Sequence, residues 1–183
     1  MIAFSHDTAS RDGGTLRISV VTAVLNRAAT LGECLTSVET QTHSDVEHVL
    51  VDGGSTDGSL DLIRAAAARC PSLRWSSGPD GGIYDALNKG IAASSGEVVG
   101  ILGSDDVLED REVLSDVAAC FERSGCDACY GDLLYVDADD PSRVRRRWVA
   151  ARGRFRLGWM PPHTTFFVRR SAYERLGVFD TSF

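Results

Sequence analysis

The chain has 183 residues, 43% of them hydrophobic and 25% charged, with a net charge of −7. This is ordinary globular composition for one domain with a real core, and it excludes a disordered or fibrous chain. The acidic balance argues against nucleic acid as a partner, because phosphate backbones are met by basic surfaces. A nucleotide stays open, since one divalent metal held on carboxylates can neutralise a diphosphate.

Residues 1–15 open the chain with small and polar side chains, Ser5, His6, Asp7 and Asp12 among them, and are expected to form a flexible tail. They lack the apolar run of a signal peptide, and no stretch reaches the roughly 18 apolar residues of a spanning helix. The expected location is the cytoplasm or the cytosolic face of the inner membrane. Cysteines at 34, 70, 120, 126 and 129 are odd in number and irregularly spaced, which fits a reducing compartment better than a disulfide framework. Cys126 and Cys129 make a CxxC without a second Cys or His pair, so small packed side chains are the simpler reading.

From residue 16 onward, apolar runs alternate with helical patterns. Residues 17–25 (RISVVTAVL) are short and β-branched, as in a buried strand. Thr30-Leu-Gly-Glu33 has the form of a capping box opening a helix with Leu31, Cys34, Leu35 and Val38 inward. Residues 47–51 (EHVLV) predict a second strand, 58–69 a helix, 73–75 a short strand and 82–93 a helix. Residues 97–102 (EVVGIL) predict a further buried strand, 111–121 a helix, and 127–136 and 144–149 two strands. A loop over 155–162 leads to a strand at 164–168, and Ser171-Ala-Tyr-Glu174 is a second capping box before a last short helix. Alternating βα units of this kind predict a mostly parallel central sheet with helices on both faces, over one domain from 16 to 183. Ligands of such sheets bind beyond the carboxyl ends of the strands. Three loops stand there: Asn26-Arg27, Asp52 to Asp57, and Ser104 to Asp106.

In Asp52-Gly-Gly-Ser-Thr-Asp57, the glycines after a strand let backbone approach a ligand, and the carboxylates and hydroxyls offer acceptors. The same residues also suit a helix-capping turn. In Gly103-Ser-Asp105-Asp106, adjacent carboxylates repel unless a cation compensates; a hard divalent ion sharing diphosphate oxygens would do so with one or two protein carboxylates. An N-cap cluster is the alternative there. Between them, Asp80-Gly-Gly-Ile-Tyr-Asp85-Ala-Leu-Asn88-Lys89 places Asp85, Asn88 and Lys89 on one helical face, where Asp85–Lys89 can be merely a surface ion pair.

Read together, SVVTAVLN, SVETQTHSDVEHVLVDGGSTDGS, DGGIYDALNKGIAASSGEVVGILGSDD and PPHTTFFVRRSAYERLGVFD resemble glycosyltransferase family 2, in its bacterial cell-surface polysaccharide branch. They run in the family's order from about residue 17 to the end. The resemblance implies the GT-A fold, a Rossmann-like nucleotide-diphospho-sugar transferase architecture. It also implies a nucleotide-diphosphate sugar donor, UDP-linked in the expected case, with Mg²⁺ or Mn²⁺, inversion at the anomeric carbon and a polysaccharide or lipid-linked acceptor. Residue by residue, it puts Thr22, Ala23 and Asn26 at the base and ribose pocket. Asp52 faces the base or ribose, and Asp57 holds that loop. Asp80, Asp85, Asn88 and Lys89 belong to the segment crossing the donor, Asp105 touches the ribose side and Asp106 binds the metal.

Three departures accompany it. Gly53 stands where many members carry a second aspartate, and Ser104 replaces the first carboxylate of the D-x-D triplet. The family's general base falls just after a segment like GVFDTSF, so no residue here is assigned as base; Asp180 matches an earlier position. By the same resemblance His163 falls on the family's acceptor-side strand, where it would orient the acceptor or lie near the diphosphate, although a structural hydrogen bond is the plainer reading. Arg143, Arg145, Arg146, Arg147, Arg152, Arg154 and Arg156, near Trp148, Phe155, Trp159 and Met160, suggest peripheral membrane contact if they are not simply a solvated face split by a strand. The rival functions are a non-catalytic nucleotide-sugar-binding module and a nucleotidyltransferase. The latter is disfavoured because Asn26-Arg27-Ala28-Ala29 offers a single Arg after the first strand.

Overall fold

A computed structural model describes residues 2–3, 15–137, 140–151, 153 and 155–182. In chain order the elements are β1 (Ile2–Ala3), β2 (Ile18–Val24), α1 (Leu31–Glu39), β3 (Val46–Asp52), α2 (Ser59–Arg69), β4 (Leu73–Ser77) and α3 (Ile83–Ala93). There follow β5 (Val98–Ile101), α4 (Val113–Ser124), β6 (Ala128–Cys129), β7 (Asp132–Val136), β8 (Val144–Trp148), β9 (Phe167–Arg169) and α5 (Arg170–Leu176). Most of the N-terminal segment, Arg152, Arg154 and Phe183 fall outside the described residues.

The six-stranded central sheet has the order β4-β3-β2-β5-β9-β6. β4, β3, β2 and β5 run parallel, and β9 enters antiparallel beside β5. Alternating side chains of the buried strands serve two layers, as the two-residue repeat requires. On one face Ile18, Val20 and Val24 pack on α1, with Ile63 of α2 and Leu114, Val117 and Phe121 of α4. On the other, Val21, Val49 and Val99 meet Leu87 and Ile91 of α3, with Tyr173 of α5 and Phe179 beside them. Each such Leu, Ile or Phe contributes about 1.5–3 kcal/mol on burial. Gly90 lets α3 lie directly on β2, since a Cβ there would come within 2.3 Å of Val21 Cγ1.

The parallel core, with helices on both faces, is the architecture the sequence predicts. Several local expectations are corrected. Neither capping box forms: α1 and α5 begin without a side-chain cap, and α5 starts at Arg170 rather than Ser171. The single strand expected over 127–136 is two strands in different sheets, β6 in the central one and β7 in a three-stranded antiparallel sheet of order β1-β7-β8. Residues 163–165 form a 3₁₀ turn, so β9 starts only at Phe167.

From β2 the chain passes outward to β3 and β4, then returns to the opposite side of β2 as β5. Strand order therefore reverses between β2 and β5, and a crevice opens at their carboxyl ends. The backbone fixes what meets there: Gly53 N donates to Val24 O at 2.8 Å and Leu102 N to Val21 O at 3.0 Å. The loops after β2, β3 and β5, carrying Asn26, Asp52 and Asp106, leave from this one edge.

Candidate functional site

The β2 and β3 loops are stitched into one wall. Asn26 turns the chain with a left-handed φ of 53°, which Asn tolerates better than most residues. Its Oδ1 accepts from Thr56 N at 2.9 Å, and its own N donates to Ser55 Oγ at 2.9 Å. Asp57 accepts from Ala28 N at 2.9 Å and from Ser59 N and Oγ at 3.0 and 2.6 Å. These bonds from Ser59 and the Ala28 amide hold its carboxyl down at about 2. Asp52 is fully buried at the base of this wall, accepting from Ser77 Oγ at 2.6 Å and from the Gly54 and Ser55 amides at 3.2–3.3 Å. Burial would raise its pKa, but those donors carry it below the usual carboxylate value.

Beside this wall lies a cleft of about 240 Å³, lined by Ala23, Leu25 and Arg27 from β2 and its loop, Asp80, Ile83 and Ala86 from the start of α3, and Ser104. Leu25 and Ile83 are 56% and 64% exposed, so large apolar side chains face solvent at its mouth. Asp80 turns Oδ1 onto Gly82 N at 2.9 Å, which shapes the glycine turn before α3.

The β5 loop carries the acidic pair. From below, α1 braces it: Thr30 Oγ1 donates to Ser104 O at 3.0 Å and Cys34 Sγ to Gly103 O at 3.4 Å. The Cys34 thiol keeps its proton because burial pushes its pKa up to about 12. Above, Asp106 and Asp105 fold over the bare Cα of Gly103. A Cβ there would meet Asp106 Oδ2 at 2.6 Å and Asp105 Oδ1 at 3.1 Å. Partial burial, then the neighbouring Asp105 charge, raises the Asp106 pKa, and His163 acts in the opposite direction. Among the described residues no ion pair reaches either carboxylate. Nor do three His, Cys, Asp or Glu side chains form a closed metal cage among them. Two hard oxygen donors converging over one glycine, with the rest open, suit Mg²⁺ or Mn²⁺ taking its remaining ligands from phosphate and water.

The structure thus brings Ala23 and Asp80 together on one cleft lining with Ser104, the residue just before the acidic pair Asp105 and Asp106, and His163 acts electrostatically on Asp106. Asn26, Asp52 and Asp57 build the wall behind it, and their polar atoms are largely taken up by loop backbone. The Thr22 side chain lies a layer below, fully buried with Oγ1 3.1 Å from His48 Nε2. On α3, Asp85 accepts from Gly81 N at 2.8 Å and pairs with Lys89 at 2.8 Å. Asn88 does not line the cleft and is taken up by Phe179, donating to its O at 2.8 Å and accepting from its N at 2.9 Å. Sequence reasoning missed the roles of Thr30, Cys34 and Leu25; a hydroxyl and a thiol on the helix face next to the β5 loop were the signal for the first two.

The basic run is split. Arg145 pairs with Asp137, and Arg147 with Asp132 at 2.7 Å, while Arg146 lies 5.8 Å over the Tyr135 ring. Among the described residues no helix is long and apolar enough to cross a membrane.

Comparison with known proteins fits this geometry. The model of glycosyl transferase family 2 matches residues 19–182. A PGL/p-HBAD biosynthesis glycosyltransferase of Mycobacterium bovis is 35% identical over 166 residues, which are 88% of this chain and 62% of the relative. An uncharacterized glycosyltransferase of Nostoc is 36% identical over 126 residues, 68% of this chain and 39% of its own. This chain therefore spans less than two thirds of the curated relatives it matches. Among solved structures, the Pyrobaculum calidifontis mannosyltransferase in complex with GDP-Man and Mn²⁺ superposes with a TM-score of 0.72 at 22% identity, over 96% of this chain and 51% of that one. Staphylococcus aureus TarS in complex with UDP-GlcNAc gives 0.65 at 20% identity, over 87% and 47%. With a family match running from the second residue of β2 to the residue before last, this chain belongs to glycosyltransferase family 2 and has the GT-A fold.

Proposed function

We propose that this domain binds a nucleotide-diphosphate sugar, UDP-linked in the first instance, and transfers the sugar with inversion to a polysaccharide or lipid-linked acceptor. The observation that carries the reading is the pair Asp105 and Asp106, folded over Gly103 at the switch point beside an open cleft. Family membership supports it, as do fold neighbours whose complexes hold GDP-Man with Mn²⁺ and UDP-GlcNAc. The cleft takes the nucleoside, with Ala23 and Leu25 on one wall and Ile83 and Ala86 on another. Asp105 lies on the ribose side, and Asp106 would hold Mg²⁺ or Mn²⁺. Bound there, the ion supplies Lewis-acid stabilisation of the leaving diphosphate, a contribution of several kcal/mol. Asp57, Asn26 and Ser55 keep the wall in place, and His163 lies where the acceptor would approach. We assign the general base to none of the described residues.

Calorimetric titration with UDP, GDP and dTDP, each with and without Mn²⁺, tests this. Metal-dependent binding of at least one, lost in Asp106→Ala, is expected. Absence of binding by all three under both conditions would refute it.

A further inference from the structure

We propose that Asp80 is the residue by which this site selects its nucleobase, favouring bases that present a ring N–H (uracil, thymine, guanine) over cytosine and adenine. The inference rests on the proposed function, whose base pocket it refines.

The starting point is the close approach of Gly53 and Asp80. A Cβ at Gly53 would lie 2.7 Å from Asp80 Oδ2, 3.3 Å from its carboxyl carbon and 3.5 Å from Leu25 Cδ1. Since Gly53 has a bare α-carbon, the Asp80 carboxylate occupies the space a side chain at position 53 would fill. The two ends of that carboxylate have different work. Oδ1 accepts from Gly82 N at 2.9 Å and so anchors the group to the turn before α3. No hydrogen bond to Oδ2 is formed among the described residues, and Asp80 lines the cleft wall.

The surroundings define what would meet that oxygen. Among the described residues Asp80 is the one carboxylate on the cleft lining, and Arg27 and Ser104 are its other charged or hydroxyl side chains. Leu25 and Ile83, both more than half exposed, belong to two elements that flank the same opening and offer apolar surface to a planar ring. A carboxylate accepts hydrogen bonds and donates none when ionised. Uracil and thymine carry N3–H, and guanine carries N1–H with an exocyclic amine. Cytosine and adenine offer a carboxylate only their exocyclic amines, while the ring-nitrogen lone pair on the same edge repels it, so an oxygen set opposite the ring nitrogen disfavours them. A charge-assisted hydrogen bond of this kind is about 10–100-fold in affinity.

The test measures binding of UDP, GDP, CDP and ADP, all with Mn²⁺, to the intact chain and to Asp80→Asn and Gly53→Ala. The chain itself is expected to bind UDP or GDP at least about tenfold more tightly than CDP and ADP. Asp80→Asn keeps an acceptor for Gly82 N and turns an NH₂ donor toward the cleft. It should collapse or invert the UDP-to-CDP ratio. Gly53→Ala displaces the carboxylate by direct contact and should weaken UDP without weakening CDP to the same extent, so that the UDP-to-CDP ratio falls. A merely structural Asp80 would lower UDP and CDP alike and leave their ratio unchanged. That result overturns the inference while donor binding stands; failure of every nucleotide to bind the unaltered chain overturns both.

Discussion

At the amino-terminal edge of the central sheet, Glu47 is 1% exposed and fully partnered. Ser19 Oγ and Ser95 N donate to it at 2.7 Å, and Arg74 reaches it at 2.9 Å. Burial works against its charge, but the Ser95 amide, Ser19 and Arg74 outweigh it and bring its pKa to about 2. At the carboxyl edge, Asp105 and Asp106 crowd one another over Gly103, the Asp106 pKa is raised, and among the described residues no ion pair compensates them. One fold thus treats acidic side chains in opposite ways at its two ends. Where charge serves stability it is neutralised internally; where two carboxylates crowd one another without an ion pair among the described residues, their repulsion costs stability, which a cation bound as proposed would relieve.

The sharpest way to break this contrast is at Glu47. Glu47→Ala leaves the Ser19, Ser95 and Arg74 donors without their acceptor and should cost about 3–5 kcal/mol in urea unfolding, with any nucleotide binding by the folded fraction retained. A loss under 1 kcal/mol would show that the amino edge is not held by this carboxylate.

Acid comes next. His48 is buried beneath Thr22, and burial lowers its pKa from 6.5 to about 4. The unfolded chain takes up that proton first, so the contribution of neutral His48 is full above pH 6.5 and falls as pH drops to 4, by up to about 3 kcal/mol. Glu47, with a folded value near 2 against 4.5, loses its contribution in a lower window, as pH falls from 4.5 to 2. Urea midpoints measured from pH 7.5 to 3 should decline in two stages, and His48→Gln should flatten the first.

Smaller effects belong to the site. Asp57→Ala unstitches the wall between the β2 and β3 loops; Tm should fall by only about 2–4 °C while nucleotide affinity drops several-fold. Smallest is Asp106→Asn in metal-free buffer. By relieving repulsion with Asp105 it should leave stability unchanged or raise it by less than about 1 kcal/mol. A clear loss there would mean that the acidic pair is structural after all.

The parallel core was legible because strands buried on both faces read as continuous apolar runs: RISVVTAVL and EHVLV each needed shifting by only a residue. Side-chain partners were not. Thr30 looks like an N-cap from the pattern Thr-x-x-Glu, yet its hydroxyl goes to Ser104 O, 74 residues on. Asn88 sits on the right helix but bonds Phe179, 91 residues away. Thr22 sits at a strand end, yet its parity turns it toward α1 and His48. The acidic clusters themselves stood out, since adjacent carboxylates at a strand end have few structural uses. The Asp80–Gly53 contact was invisible, because it pairs a residue with the absence of a side chain.

The most direct test of the central claim is whether cation and diphosphate bind as one unit. Titrating Mn²⁺ by electron paramagnetic resonance, with and without saturating UDP and corrected for the Mn²⁺–UDP complex, measures that coupling. Weak Mn²⁺ binding alone, tightened tenfold or more by UDP with the reciprocal effect on UDP, and no coupling in Asp106→Ala are expected. Equal Mn²⁺ affinity with and without UDP, or coupling that survives loss of Asp106, would contradict it.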